Sequence, residues 1–275
     1  MNLVFTSPPF PLIRKKKYGN RVGEDYLSWL RDLAPKLTEL LADDGSIVIE
    51  IGNAWEPGSP TMSTLPLRAL LAFQEAAGLQ LCQHMICHNT ARLPGPAEWV
   101  TVRRIRLKDS YTHVWWMAKT AFPKADNRRV LLPYSAEMKD LLRRRTYNAG
   151  ERPSEHIVGE KSFLTDNGGA ISASLLEFDE PASRVPIDVQ KVANTRHEAE
   201  YVRYCKSLGI PPHPARMQPQ LAAFFISFLT SPGDTVIDPF AGSNTTGWVA
   251  EQMGRQWLSV EASADYVLGS KMRFQ

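Results

Sequence analysis

Two short segments, far apart in the chain, carry residue types suited to chemistry. In the first, Asp238 closes the apolar run Thr235-Val236-Ile237. It opens a stretch of small residues, Pro239-Phe240-Ala241-Gly242-Ser243-Asn244-Thr245-Thr246. Gly242 lets backbone come close to a ligand, and a helix that starts there offers free N–H groups. Asp238 stands at the carboxyl end of its strand, where open α/β sheets bind ligands. Glu261 follows 23 positions later, after the next apolar run. An acid at about that separation is placed to hydrogen-bond both hydroxyls of a ribose. Position 244 is Asn rather than a second Gly, and no Lys precedes Thr245. The stretch is therefore neither a dinucleotide loop nor a P-loop, and a nucleoside-bearing cofactor without a pyrophosphate fits it better. Asn244 tolerates the left-handed backbone that a Gly would take.

The second segment is Ser7-Pro8-Pro9-Phe10, directly after the apolar Leu3–Thr6. Two prolines stiffen the turn and remove backbone donors, which leaves carbonyls facing a site without competing N–H groups. The Ser7 hydroxyl adds an acceptor, and Phe10 adds a flat face. Such a corner suits a planar amino group and the ring that carries it.

The elements that position these segments are legible. Leu3–Thr6 reads as a strand, Asp25–Leu41 as a helix with leucines at helical spacing, and Ser46–Ile51 as a buried strand. Leu65–Ala77 reads as a helix closed by Gly78. Leu81–His88 and Thr112–Ala118 read as strands. Gln218–Leu229 is a helix, and Thr235–Asp238, Gly247–Gly254 and Trp257–Glu261 make a strand, helix and strand, the βαβ unit of a parallel sheet. The stretch from about 122 to 204 mixes an Arg-rich helix (Ala136–Arg145), a Gly168-Gly169 break and scattered prolines. It is expected to be an inserted module.

Composition bounds the class. The chain has 275 residues, 43% of them hydrophobic and 22% charged, which is ordinary for a globular protein with a large core and argues against disorder. No apolar run reaches the ~18 residues that span a bilayer, and no secretory signal opens the sequence, so no membrane partner is expected. Three cysteines without a C-x-x-C argue against a disulfide scaffold or zinc ribbon and for a reducing cytoplasm. Of the residues that could suggest a metal, His84 and His88 share one face of their strand while Cys87 points away; no metal site is expected. The net charge is only +3, but residues 101–155 carry 13 Lys and Arg against 6 Asp and Glu, and Arg14, Lys15, Lys16 and Lys17 form a second cluster. A polyanionic partner is consistent with this.

Taken together, Asp238-Pro239-Phe240-Ala241-Gly242-Ser243 with Glu261, and Thr6-Ser7-Pro8-Pro9-Phe10, resemble the S-adenosylmethionine-dependent amino-methyltransferases of DNA. The catalytic motif comes first and the cofactor loop last, which is the β arrangement of that family. His213-Pro214-Ala215-Arg216-Met217, Gly52-Asn53-Ala54-Trp55 and Asp109 to Trp116 also look like family segments. The resemblance covers about residues 1–120 and 205–275. It implies an α/β fold: a Rossmann-like methyltransferase sheet, mostly parallel with one antiparallel hairpin strand, in circularly permuted motif order. Residues 1–120 would form the catalytic half, 121–204 a target-recognition region and 205–275 the cofactor half.

Ser at the first motif place, where adenine-specific relatives usually carry Asp, is similar to the N4-cytosine enzymes of restriction–modification systems. The resemblance thus implies methyl transfer from S-adenosylmethionine to the N4 amino group of cytosine in double-stranded DNA, in a prokaryotic cytoplasm. Ser7, Pro8, Pro9, Phe10 and Glu50 would be catalytic. Asp238, Pro239, Phe240, Ala241, Gly242, Ser243, Thr245, Glu261, His213 and Arg216 would bind cofactor. Arg14 to Lys17, Arg128, Arg129, Arg143 and Arg144 would meet DNA. N6-adenine methylation is the alternative chemistry. In the family a strand and helix with a Gly-Asp-Ser-like segment usually precede the catalytic motif, whereas this sequence begins six residues before Ser7. Weak cofactor binding, a homodimer in which a neighbouring copy covers the gap, or a catalytically weak DNA-binding relative are the readings this leaves.

Overall fold

The computed structural model describes residues 1–10, 21–89, 91–178, 186, 189 and 195–275, the last stretch with side chains from 198. Its frame is a seven-stranded sheet. In chain order the strands and helices are β1 (Leu3–Thr6), α1 (Gly23–Glu39), β2 (Ser46–Gly52), α2 (Leu65–Ala77), β3 (Gln80–His88), β4 (Tyr111–Ala118) and α3 (Ala136–Arg144). A small hairpin, β5 (Gly150–Glu151) and β6 (Ile157–Val158), stands apart as its own two-stranded sheet. Then come β7 (Leu175–Glu177), α4 (Thr195–Ser207), α5 (Pro219–Leu229), β8 (Thr235–Asp238), α6 (Thr245–Gln252), β9 (Gln256–Ser259) and α7 (Ala264–Ser270).

The sheet order is β7-β3-β4-β2-β1-β8-β9. Of these strands β4 alone runs against the rest, pairing antiparallel with both β2 and β3. The α/β sheet that was expected, mostly parallel with one reversed hairpin strand, is the one observed. β1 is an interior strand, parallel to β2 on one side and to β8 on the other. A parallel central strand must be apolar on both faces, and β1 is. Leu3 and Phe5 enter one core with α5 and α6, while Val4 enters the other with α1 and α2. Phe5 stacks on Phe225 of α5 at 5.6 Å. The α1 stripe Leu27, Leu30, Ala34 and Leu37 is buried at the spacing that marks one helix face.

Most boundaries lie within two residues of the sequence reading, and three of the differences bear on the site. β2 continues to Gly52 because its ladder with β4 runs on to Thr112, so Glu50 lies inside the strand rather than at its end. β9 stops at Ser259, which leaves Glu261 in the following loop. α6 begins at Thr245, because the Asn244 side chain caps it by accepting from the Gly247 N–H at 3.2 Å. The middle stretch also returns to the sheet: β7 adds a parallel edge beside Ile86–His88, and Val130, Leu176 and Phe178 join the core. Nothing in the periodicity of so short a strand announces it. Among the described residues no helix is long and apolar enough to cross a membrane.

Candidate functional site

Because β1 and β8 are neighbours and parallel, their carboxyl ends come out side by side. There Ser7, Pro8, Pro9 and Phe10 face the Asp238–Ser243 loop and Glu261 across one cavity of about 480 Å³. That is within the size of small-molecule sites. His213, Ala215 and Met217 form one wall, and Val260 and Ala262 flank Glu261. Arg21 and Trp29 complete the lining; Trp29 meets Phe240 edge-on at 5.5 Å.

The loop after β8 is held by its own side chains. Asp238 is 4% exposed and accepts three hydrogen bonds: from Thr6 Oγ1 at 2.6 Å, Thr246 Oγ1 at 2.7 Å and the Phe240 N–H at 3.0 Å. Burial still pushes its carboxyl above the ordinary value, because desolvation outweighs those donors. Asp238 thereby ties β1 to the loop and to the first turn of α6. Gly242 has a φ of 51°, the left-handed region. Its N–H donates to Glu261 Oε2 at 2.8 Å, and the Ser263 N–H donates to Oε1 at 2.8 Å. A Cβ at Gly242 would stand 3.0 Å from His213 Nε2, so a side chain there would press on the wall. Asn244 takes the left-handed conformation expected of it, with φ 55° and ψ 41°. Its Oδ1 also accepts from Ser259 Oγ at 2.6 Å.

The corner after β1 is held differently. Ser7 and Thr112 both hydrogen-bond Glu50, Thr112 Oγ1 donating at 2.9 Å. Burial pushes the Glu50 carboxyl up, against the pull of these hydroxyls and of Arg92 nearby. Glu50 does not line the cavity; it stands behind Ser7. Phe10 packs against the end of β2, where a Cβ at Gly52 would stand 2.5 Å from its ring. Gly52 therefore fixes where that ring can lie.

Other expected site residues are placed as follows. Pro239, Phe240, Ala241 and Ser243 line the cavity with Gly242. His213 lines it too, its ring edge-on to Tyr266 at 4.6 Å, and burial lowers its pKa so that it is neutral near pH 7. Thr245 is buried in α6, its hydroxyl 3.2 Å from that of Ser243, and is not part of the lining. Arg216 also stays off the lining; it turns to Glu198, 2.7 Å away.

Arg14 to Lys17 lie outside the described residues. Arg128 is exposed and paired through two donors with Asp126, and Arg143 and Arg144 both pair with Asp140. Arg129 donates to the Thr230 carbonyl at 2.6 Å. Residues 101–108, Thr-Val-Arg-Arg-Ile-Arg-Leu-Lys, are all exposed. They belong to the β3–β4 connection, and β3 runs parallel to β2, so this basic segment leaves the same end of the sheet as the cavity, the carboxyl end of the parallel strands. His84 hydrogen-bonds His113 at 2.9 Å, His88 pairs with Glu177 at 2.8 Å and Cys87 is in the core, so the three do not converge. Among the described residues no three His, Cys, Asp or Glu are grouped to hold a metal.

Sequence reasoning missed Trp29, Arg21 and Met217 as lining residues. Trp29 precedes the buried Leu30 in α1, and spacing alone cannot tell a wall residue from an exposed one. Segment 101–108 was within reach, since its four basic residues within six positions are plain in the sequence.

The chain was compared with known proteins. A family model described as DNA methylase matches residues 1–272. Type II methyltransferase M.PvuII of Proteus hauseri is 41% identical over 276 residues, covering 100% of this chain and 78% of that protein. A solved PvuII DNA methyltransferase, titled cytosine-N4-specific, superposes with a TM-score of 0.72 at 34% identity, over 100% of this chain and 79% of the other. The TTHA0409 protein of Thermus thermophilus, solved in complex with S-adenosyl-L-methionine, shares the fold with a TM-score of 0.54 at 19% identity. The match covers 99% of this chain and 84% of that one.

Proposed function

Because the chain belongs to the DNA methylase family, we propose that it methylates the N4 amino group of cytosine in a specific double-stranded DNA sequence, with S-adenosylmethionine as methyl donor. The modification would protect that sequence from a cognate restriction enzyme. One observation carries the reading: Ser7 to Phe10 and the Gly242–Glu261 pair border one cavity. A relative matched over this chain's full length is a type II methyltransferase, and its solved counterpart is titled cytosine-N4-specific.

The residues fit the donor. Glu261 has one N–H on each carboxyl oxygen, and each oxygen keeps a lone pair that a ribose hydroxyl can use. Gly242 leaves the space beside His213 that a Cβ would fill. When bound, the donor would supply an electrophilic methyl on a sulfonium: the N–C bond forms from the nitrogen lone pair, the S–C pair stays on sulfur as a neutral thioether, and the surplus amino proton goes to water.

The protein's task is to prepare the nitrogen, whose lone pair is delocalised into the cytosine ring. The Ser7 hydroxyl donates its hydrogen bond to Glu50, which leaves the Ser7 oxygen free to accept one amino hydrogen. The Pro8 carbonyl accepts the other. Holding both hydrogens favours a pyramidal nitrogen with its lone pair aimed across the cavity, so positioning and fixed dipoles supply most of the rate. Phe10, seated on Gly52, stacks the ring once the base has turned out of the duplex, since the amino group is out of reach inside it. Residues 101–108, Arg14 to Lys17 and the exposed Arg128, Arg143 and Arg144 would meet phosphates or base edges. Residues 121–204 would supply target recognition. This chemistry belongs in a prokaryotic cytoplasm.

The test uses the purified chain, S-adenosylmethionine and unmodified genomic DNA, digested to nucleosides and read by mass spectrometry. N4-methylcytosine is the expected product. N6-methyladenine would overturn the cytosine assignment, and no methylated nucleoside would overturn the transfer itself.

A further inference from the structure

Behind the donor side of the cavity lies a charge cluster, built on the buried Arg273, that the reaction does not use directly. Arg273, 3% exposed, donates to the Ser243 carbonyl at 2.6 Å, to Ser243 Oγ at 3.3 Å and to Glu198 Oε1 at 2.5 Å. Its Nη1 is buried without an acceptor among the described residues. The ring centroids of Tyr201 and Trp248 lie 5.0 and 5.8 Å from the guanidinium carbon. The second oxygen of Glu198 accepts from Arg216 Nε at 2.7 Å, and Arg216 Nη1 donates to the His213 carbonyl at 2.9 Å.

One carboxylate on α4 therefore holds two arms. Through Arg273 it reaches the loop at Ser243; through Arg216 it reaches the wall at His213. Loop and wall nearly touch at Gly242, so their separation sets the shape of the donor cleft. A single negative charge serves two guanidiniums, so neither arm can be released without altering the other, and a buried Arg that lost its partner would be uncompensated.

We propose that Glu198 is a positioning residue for the methyl donor, fixing the spacing of the 213–217 wall and the 239–243 loop through Arg216 and Arg273. This rests on the cavity being the S-adenosylmethionine site. A fixed cleft is formed before the donor arrives, so less ordering is left to the binding step.

The test is calorimetric titration of S-adenosylmethionine into the full chain without DNA, alongside native-state hydrogen exchange at the Gly242 amide. Glu198→Gln, which keeps the volume and one acceptor, is expected to weaken donor binding about tenfold and to speed Gly242 exchange in the free protein. Under turnover its KM for the donor rises about tenfold while kcat changes less than twofold, and duplex DNA affinity is kept. Adding Arg216→Gln to Glu198→Gln costs less than a further twofold, because both act through one contact. Unchanged donor affinity and unchanged exchange in folded Glu198→Gln overturn the proposal. If that variant does not fold, Arg216→Gln, whose side chain is partly exposed, carries the test with the same outcomes. If the unsubstituted chain binds no donor, the reading of the cavity fails. Gly242 exchange in the variants then still decides whether Glu198 holds the loop.

Discussion

The two sides of the crevice are built by opposite means. The loop after β8 is saturated with internal hydrogen bonds. Asp238 takes three donors, Glu261 two backbone N–H groups, Asn244 caps α6, and Ser243 is gripped by Arg273. The corner after β1 has two prolines, hence no N–H at those places, and it is seated by sterics: a ring on a glycine, and one hydroxyl on Glu50. The loop side offers donors and a fixed shape, as a ligand bound in the same way in every turnover requires. The corner side offers acceptors, which suit an amino group brought in from elsewhere. Substitutions on the loop side should therefore damage stability and donor binding together, while replacing Ser7 on the corner side should damage rate alone.

The sharpest way to break that contrast is Asp238→Ala. It strands two hydroxyls and an N–H in a buried place, so unfolding free energy should fall by about 2 kcal/mol or more, as read by chemical denaturation. Donor binding should drop below calorimetric detection. Wild-type stability in this variant would refute the wiring of the loop. Next comes Ser7→Ala, which should lower kcat about 100-fold, the scale of losing one preorganised polar contact. Donor affinity and melting temperature should hold; equal losses in all three would mean the corner is structural after all.

The smallest effect is expected from Glu50→Gln, about tenfold in kcat, because Gln still accepts from Ser7 but carries no charge. Its pH behaviour is more telling. The Glu50 pKa is raised from an ordinary 4.5, so wild-type activity should fall on acidification at a pH above 4.5, and this limb should flatten in the variant. Stability runs the other way. A carboxyl with a raised pKa contributes fully below its unfolded value, and that contribution is lost as pH rises through its folded value. The stability advantage of wild type over Glu50→Gln should therefore shrink from acid to neutral pH. Parallel pH–rate profiles, or a constant stability difference, would remove Glu50 from the mechanism.

Local signals were readable in the sequence where a residue type had one purpose. The left-handed Asn244, the Gly78 helix end and the strand, loop and helix around Asp238 each follow from backbone chemistry within a few positions. The pairing of the Ser-Pro-Pro-Phe corner with the glycine loop was reached by resemblance, because no local rule brings residue 7 beside residue 238. What stayed hidden depends on partners remote in sequence. Arg216 looks like a ligand contact until Glu198 is seen to hold it. Arg143 and Arg144 look free until Asp140 is placed between them. Arg273 carries no pattern at all, since its meaning comes from a carbonyl 30 positions away and a carboxylate 75 away.

The interior place of β1 has a consequence for how the protein comes into being. The strand that carries the corner leaves the ribosome before β2 to β9, yet one of its edges is closed only by β8, more than 220 residues later in synthesis. Contacts so distant in the chain form slowly, and until they form β1 presents an open, largely apolar edge. A nascent chain halted before residue 235 would carry the Ser-Pro-Pro-Phe corner without the loop that faces it across the cavity, and would leave that edge open to other strands.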